Sequence, residues 1–128
     1  MSARRGTAVL LGGTALAGAA LVAVPATASA DLERHGRCAG ATYELQVDRE
    51  GRRYEVSLDA EHARPGSRWV VQLRHDGKRV HHGIVRADRE GELELERLRP
   101  NTRDRDTFTV RLRPAGTDGW CSTSVRVR

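Results

Sequence analysis

Residues 41–60 read ATYELQVDREGRRYEVSLDA, and the fold follows from this stretch. Tyr43, Leu45 and Val47 recur at every second position, the turn Arg49-Glu50-Gly51-Arg52 intervenes, and Tyr54, Val56 and Leu58 resume the same spacing. A period of two places these side chains on one face of a pleated strand and the polar residues between them on the other, whereas a helix would need apolar residues three and four apart. The stretch therefore reads as two antiparallel strands joined by a tight turn.

The spacing continues towards the C-terminus. A loop with His62, Pro65 and Gly66 leads to Trp69, Val71 and Leu73. Asp76-Gly77 is the two-residue signal of a hairpin, since Gly tolerates positive φ and the Asp side chain stabilises the corner. The return strand carries Val80, Ile84 and Val85, and its broken pattern at Gly83 predicts a bulge or a short edge strand there. After Asp88-Arg89-Glu90-Gly91 come Leu93 and Leu95, with Glu92, Glu94 and Glu96 on the opposite face. Leu98-Arg99-Pro100-Asn101 forms a corner. Phe108, Val110 and Leu112 then alternate with outward Thr107, Thr109, Arg111 and Arg113, and a turn from Pro114 to Gly119 precedes the last strand. That strand sets Cys121, Thr123, Val125 and Val127 against Arg126 and Arg128. Seven short strands without an amphipathic helix predict an all-β, seven-stranded antiparallel β-sandwich.

Upstream, the pattern is that of an export signal. Arg4 and Arg5 precede an uncharged, mostly apolar run from Thr7 to Val24, and Ala28 and Ala30 supply a small-residue cleavage site. Gly6-Thr7-Ala8 after the arginine pair favour general secretion over the twin-arginine route, and no cysteine stands at the cleavage point to carry a lipid. The expected organisation is a helical signal peptide over 1–30, a charged, aperiodic flexible arm over 31–37, and a sandwich over 38–128. The expected product is secreted, monomeric and without stable membrane insertion.

With the leader removed, 20 basic and 17 acidic residues remain, a net charge of +3 instead of the +5 of the whole chain. Signs alternate along the chain, as in Asp88-Arg89-Glu90 and Arg103-Asp104-Arg105-Asp106, which on the sequence alone cancels local potential and argues against nucleic-acid binding. A domain this short is marginal on its apolar core alone, and an oxidising compartment permits a covalent staple. Cys38 and Cys121 are the only cysteines, so one internal pairing exists. Two free thiols or an intermolecular bridge are the alternatives.

The segment from Trp69 to Val127 resembles the second half of a fibronectin type III or immunoglobulin-like sandwich. Trp69-Val70-Val71-Gln72-Leu73, the Asp76-Gly77 hairpin, and Leu98-Arg99-Pro100 leading to Phe108-Thr109-Val110-Arg111-Leu112 carry the likeness. The tyrosine that the family places soon after that proline to pin the corner is missing here. The chain also resembles small secreted β-proteins of actinobacteria, through Cys38-Ala39-Gly40, the stretch from Trp69 to Gly77, and Cys121. That resemblance implies a compartment and a fold, and brings no activity.

Candidate chemistry is sparse. His81 and His82, with His75 across the hairpin, are imidazoles within reach of one another, but neighbours in a strand point to opposite faces, so solvent-exposed hairpin histidines are expected and no metal or cofactor. No serine has an elbow motif around it, and Glu92, Glu94 and Glu96 read as one solvated face. No catalytic residue is assigned. Trp69 falls in the core phase. Trp120 lies out of phase with Val125 and Val127 and is expected to face outward if Cys121 faces inward, there to stack on a sugar, anchor a protein, or cover a sheet end. Trp120, His81 and His82 are thus the candidate ligand-binding residues. The expected function is a secreted, non-enzymatic binding module for an extracellular protein or polysaccharide. The alternative is a small inhibitor or small-molecule carrier, using the loops His62–Ser67 or Arg99–Arg105.

Overall fold

The alternation of residues 41–60 becomes a long hairpin in the computed structural model, which describes residues 32–102 and 105–127; the leader expected over 1–30 lies outside them. Tyr43, Leu45 and Val47 are buried on the same face as Tyr54, Val56 and Leu58, and the residues between them remain accessible. Eight strands form, namely β1 (Glu33–Cys38), β2 (Ala41–Glu50), β3 (Arg53–Glu61), β4 (Arg68–His75), β5 (Lys78–Arg86), β6 (Leu93–Pro100), β7 (Asp106–Pro114) and β8 (Cys121–Val127). They make two four-stranded antiparallel sheets, ordered β1-β2-β3-β6 and β5-β4-β7-β8. Among the described residues no helix is long and apolar enough to cross a membrane.

Seven of these strands are the expected ones, and β1 is the addition. Residues 33–37, expected as a flexible arm, pair along β2 from Glu33 opposite Gln46 to Cys38 opposite Ala41. The segment lacks apolar alternation because glycine occupies its central inward position. A Cβ at Gly36 would stand 2.5 Å from the Tyr43 ring on the neighbouring strand, so the tyrosine fills the space that an inward side chain of β1 would take. Setting β1 aside, β2-β3-β6 faces β5-β4-β7-β8, an immunoglobulin-like order in which chain crossovers join the layers.

The core lies between the sheets, with Phe108, Val110, Leu112, Leu45 and Val125 wholly enclosed and Trp69 among them, its indole N–H donating to Ser67 Oγ at 3.0 Å. Asp76 and Gly77 both adopt positive φ, 51° and 82°, as the expected two-residue hairpin requires. The irregularity predicted at Gly83 sits instead between Leu73 and Arg74 of β4, opposite the step from His81 to Arg79, and leaves Val80 as the extra residue. Gly83 stays in register with Val71, and the His81 ring occupies the space above it.

Cys38 and Cys121 are bonded, with Cα atoms 5.7 Å apart. One ends β1 and the other begins β8, so the bridge fastens the two layers along one long side. An immunoglobulin bridge runs between central strands; this one ties two edges.

Candidate functional site

Along each strand the pleat sends alternate residues outward, and the register then decides which outward residues become neighbours. In the β1-β2-β3-β6 sheet one outward row runs His35, Glu44, Asp59, Glu94. The row on one side of it includes Glu33, Gln46, Ser57 and Glu96, and beyond that lie Asp48, Glu55 and Leu98. This face is strongly acidic, with Arg37 and Arg53 at its margins. Burial and the charges of Glu94, Glu44, Glu96 and Glu61 raise the Asp59 carboxyl above its usual value. Glu55, hydrogen-bonded to Glu96 and Glu50, is pushed up to about 7. Two adjoining hollows of about 430 and 290 Å³ open on this face, sharing Glu44, Asp59 and Glu61 in their walls.

The opposite outer face has the other sign. Outward positions of β4 and β5 hold Arg68, Arg74, Arg79 and Arg86, those of β7 hold Arg111 and Arg113, and β8 adds Arg126. Between them lie Val70, Gln72, His82, Ile84, threonines and serines, and among the described residues no acid points out from these strands. The sequence argument that alternating charges cancel fails here. Sign alternation along a chain is sorted by the pleat, and strands with the same outward sign were assembled into the same sheet.

Trp120 lies on the basic face. Its indole sits with the Arg111 and Arg113 guanidinium carbons 4.5 and 4.6 Å from the ring, and Arg113 also donates to the carbonyl of Thr117. The ring is half-buried by this packing, an arrangement in which cations and indole hold one another in place. His82 belongs to the same face, where Gln72 Nε2 donates to its Nδ1 at 3.2 Å. His81 points the other way, into the open side between β5 and β6, where Arg97 of β6 donates to its Nδ1 at 2.9 Å. Desolvation, then the charges of Arg97 and His82, lower the His81 pKa. The three candidate residues are thus divided: Trp120 and His82 share a surface, and His81 bridges the layers.

His75 departs further from expectation. It is buried, 3% exposed, because β4 ends in the core phase and the hairpin folds its ring onto Phe108, with centroids 4.4 Å apart. Its Nε2 lies 2.6 Å from Oδ1 of Asp106, which has no exposed surface. Arg99 Nε donates to His75 Nδ1 at 3.3 Å, so Nδ1 is the acceptor and Nε2 carries the proton it gives to Asp106. The Thr102 hydroxyl also donates to Asp106 Oδ1, at 2.8 Å. Burial works to raise the Asp106 carboxyl, but the hydrogen bonds from His75 and Thr102 prevail and hold it below its usual value. Asp76 completes the join, accepting the Thr107 N–H at 2.8 Å through Oδ1.

His75, Asp76 and Asp106 bring ligand atoms within 4.8 Å of one another. A cation on Nε2 would move the proton to Nδ1, where it would meet the Arg99 N–H donor head-on, so the protonation pattern suits a clamp better than a metal centre. Nor does the group resemble a hydrolytic triad, since the Thr102 hydroxyl bonds the carboxylate and not the imidazole. The clamp ties the β4–β5 hairpin to the β6–β7 corner, the corner for which the sequence offers no tyrosine. Sequence reading missed it because its members are far apart in the chain and Asp106 stands in a charged run. The one available signal was that Asp106 falls in phase with Phe108, Val110 and Leu112.

The loop His62–Ser67 is held down rather than projecting. The Ala63 N–H donates to Gly91 O at 3.0 Å and the Gly66 N–H to Ala87 O at 3.1 Å. Gly91, at φ 79°, cannot gain a side chain, because its Cβ would enter the Ala63 carbonyl.

No family model and no curated protein sequence matches the chain. Among solved structures, the yeast GGA1 GAE domain is similar at a TM-score of 0.34 and 8% identity, over 73% of this chain and 96% of that one. A likeness at that level carries nothing about ligands.

Proposed function

We propose that the chain is an exported, non-enzymatic binding module whose recognition surface is the arginine-rich outer face of the β5-β4-β7-β8 sheet, and whose partner is an anionic extracellular polysaccharide. The observation that carries this reading is the gathering of seven arginines on one face with no outward acid among its described residues. Guanidinium groups suit carboxylate, sulfate and phosphate because their planar forks donate in pairs. Trp120, packed against Arg111 and Arg113, offers an aromatic edge beside those donors, and His82 lies on the same surface. The leader pattern and the Cys38–Cys121 bridge support export.

The test is retention of the purified protein on an immobilised acidic polysaccharide and on the neutral polymer of the same backbone. Retention on the acidic polymer alone is expected, falling steeply as salt screens the contacts, and weakened about tenfold or more when Arg111 and Arg113 are both replaced by Gln, at about 1.4 kcal/mol per factor of ten. Equal retention on both polymers would overturn the reading. Tighter binding to duplex DNA than to any acidic glycan would replace it.

A further inference from the structure

We infer that the acidic outer face of the β1-β2-β3-β6 sheet docks the basic outer face of a second copy of this chain, so that molecules stack face to face in one direction. The inference goes beyond the proposed polysaccharide binding and does not depend on it. It rests on complementarity between two surfaces of the same molecule.

The two faces are opposite in sign and alike in extent and in apolar content. One gathers carboxylates around the row Glu44, Asp59, Glu94, and the other gathers arginines across all four of its strands. Both are four strands wide, which at ordinary strand spacing and rise makes each about 19 Å by 27 Å. That is an area at the small end for a specific interface, consistent with reversible association. The acidic face is hollowed by its two cavities, about 430 and 290 Å³ with carboxylates in their walls, into which long arginine side chains of a partner fit. The basic face offers such side chains at Arg68 and Arg86, which lie opposite each other and are both exposed. Each face also carries one large exposed apolar side chain, Leu98 on β6 and Ile84 on β5, 54% and 48% accessible. These are the exposed large hydrophobics among the described residues, and the Arg97–His81 contact shows that β6 and β5 run along the same long side of the sandwich.

Geometry sets the form of the assembly. Because the complementary faces lie on opposite sides of the molecule, a pair formed this way leaves one acidic and one basic face free, and addition continues without closure. The carboxylates crowded together on this face of a free molecule gain counter-charges on stacking. An anionic polymer on the basic face would compete with the neighbour for the same arginines.

Sedimentation and light scattering at neutral pH test the inference, at about 20 mM and about 0.5 M salt, between which the screening length falls by more than half. The weight-average mass is expected to rise at least twofold over the monomer at low salt, increase with concentration, and return to the monomer at high salt. Glu44→Lys/Asp59→Lys/Glu94→Lys makes both faces basic, and Arg68→Glu/Arg86→Glu/Arg126→Glu turns the basic face towards acidic. Each variant alone is expected to stay monomeric at low salt, and an equimolar mixture to associate again. Should the first variant fail to fold by circular dichroism, the milder Glu44→Gln/Glu94→Gln at two of the same outward positions is expected to weaken association at least fivefold. A wild-type protein monomeric in both salts would overturn the inference. So would association that survives either reversal, or a mixture that does not recover it.

Discussion

Replacing Asp106 by alanine is the most searching perturbation of the fold, because it removes a wholly buried carboxylate on which three groups converge. Its Oδ1 receives His75 Nε2 at 2.6 Å, the Thr102 hydroxyl at 2.8 Å and the Thr102 N–H at 3.4 Å. Hydrogen bonds to a charged acceptor are worth about 1.5–3 kcal/mol each, and an orphaned buried donor costs about 1–3 kcal/mol. The Thr102 groups can turn to water when the carboxylate is lost, but the His75 N–H, 3% exposed, cannot. Burying the ion already costs several kcal/mol in the native protein, which offsets part of the gain. The balance is a loss of about 3–4 kcal/mol, out of the 5–15 typical of a domain. Urea unfolding at neutral pH, followed through the Trp69 emission, would show it as a midpoint lowered by about 2–3 M at unchanged slope. Asp106→Asn, which keeps an acceptor but no charge, is expected to lose about 1–2 kcal/mol. The carboxyl is held below its usual value in the folded state, so its stabilisation is present above about pH 4 and lost as pH falls further. The Asn variant should lack that acid limb. A loss below about 1 kcal/mol in the alanine variant, with the acid limb intact, would refute the clamp.

Two further outcomes follow from other parts of the molecule. Reducing the Cys38–Cys121 bridge, or replacing both cysteines by serine, frees a loop of sequence separation 83 and is expected to cost about 4–5 kcal/mol in the chain-entropy account, measured by the same urea titration. Glu55, raised to about 7 by its bonds to Glu96 and Glu50, binds its proton more tightly folded than unfolded. Its contribution is therefore full below about pH 4.5 and lost as pH rises through 7, so the wild-type midpoint should climb between pH 7.5 and 5, whereas Glu55→Gln should flatten that climb. A midpoint that falls over the same range would contradict the sharing of a proton on the acidic face.

The period-two spacing of Tyr43, Leu45 and Val47, repeated in Tyr54, Val56 and Leu58, was enough to place strands, and Asp76-Gly77 enough to place a hairpin with both residues at positive φ. The core phase of Trp69 was equally plain. These features are local: a pleat and a turn are determined by residues adjacent in the chain. β1 escaped detection because its inward partner is a glycine whose space belongs to Tyr43 on another strand, and the burial of His75 because its partners, Asp106 and Arg99, come from a distant corner.

The amino-acid order by itself determined that each strand has one apolar and one charged side, and that two cysteines had a single possible partner within the chain. Beyond the two hairpins, only the tertiary structure decided which strands lie side by side. Glutamates outward on β6 share a face with the outward acids of β2 and β3, and arginines outward on β7 share a face with those of β4, β5 and β8, because the crossovers between layers sort strands by a long-range pairing that no short window of sequence contains. A chain whose charges alternate thereby becomes a slab with opposite signs on its two faces.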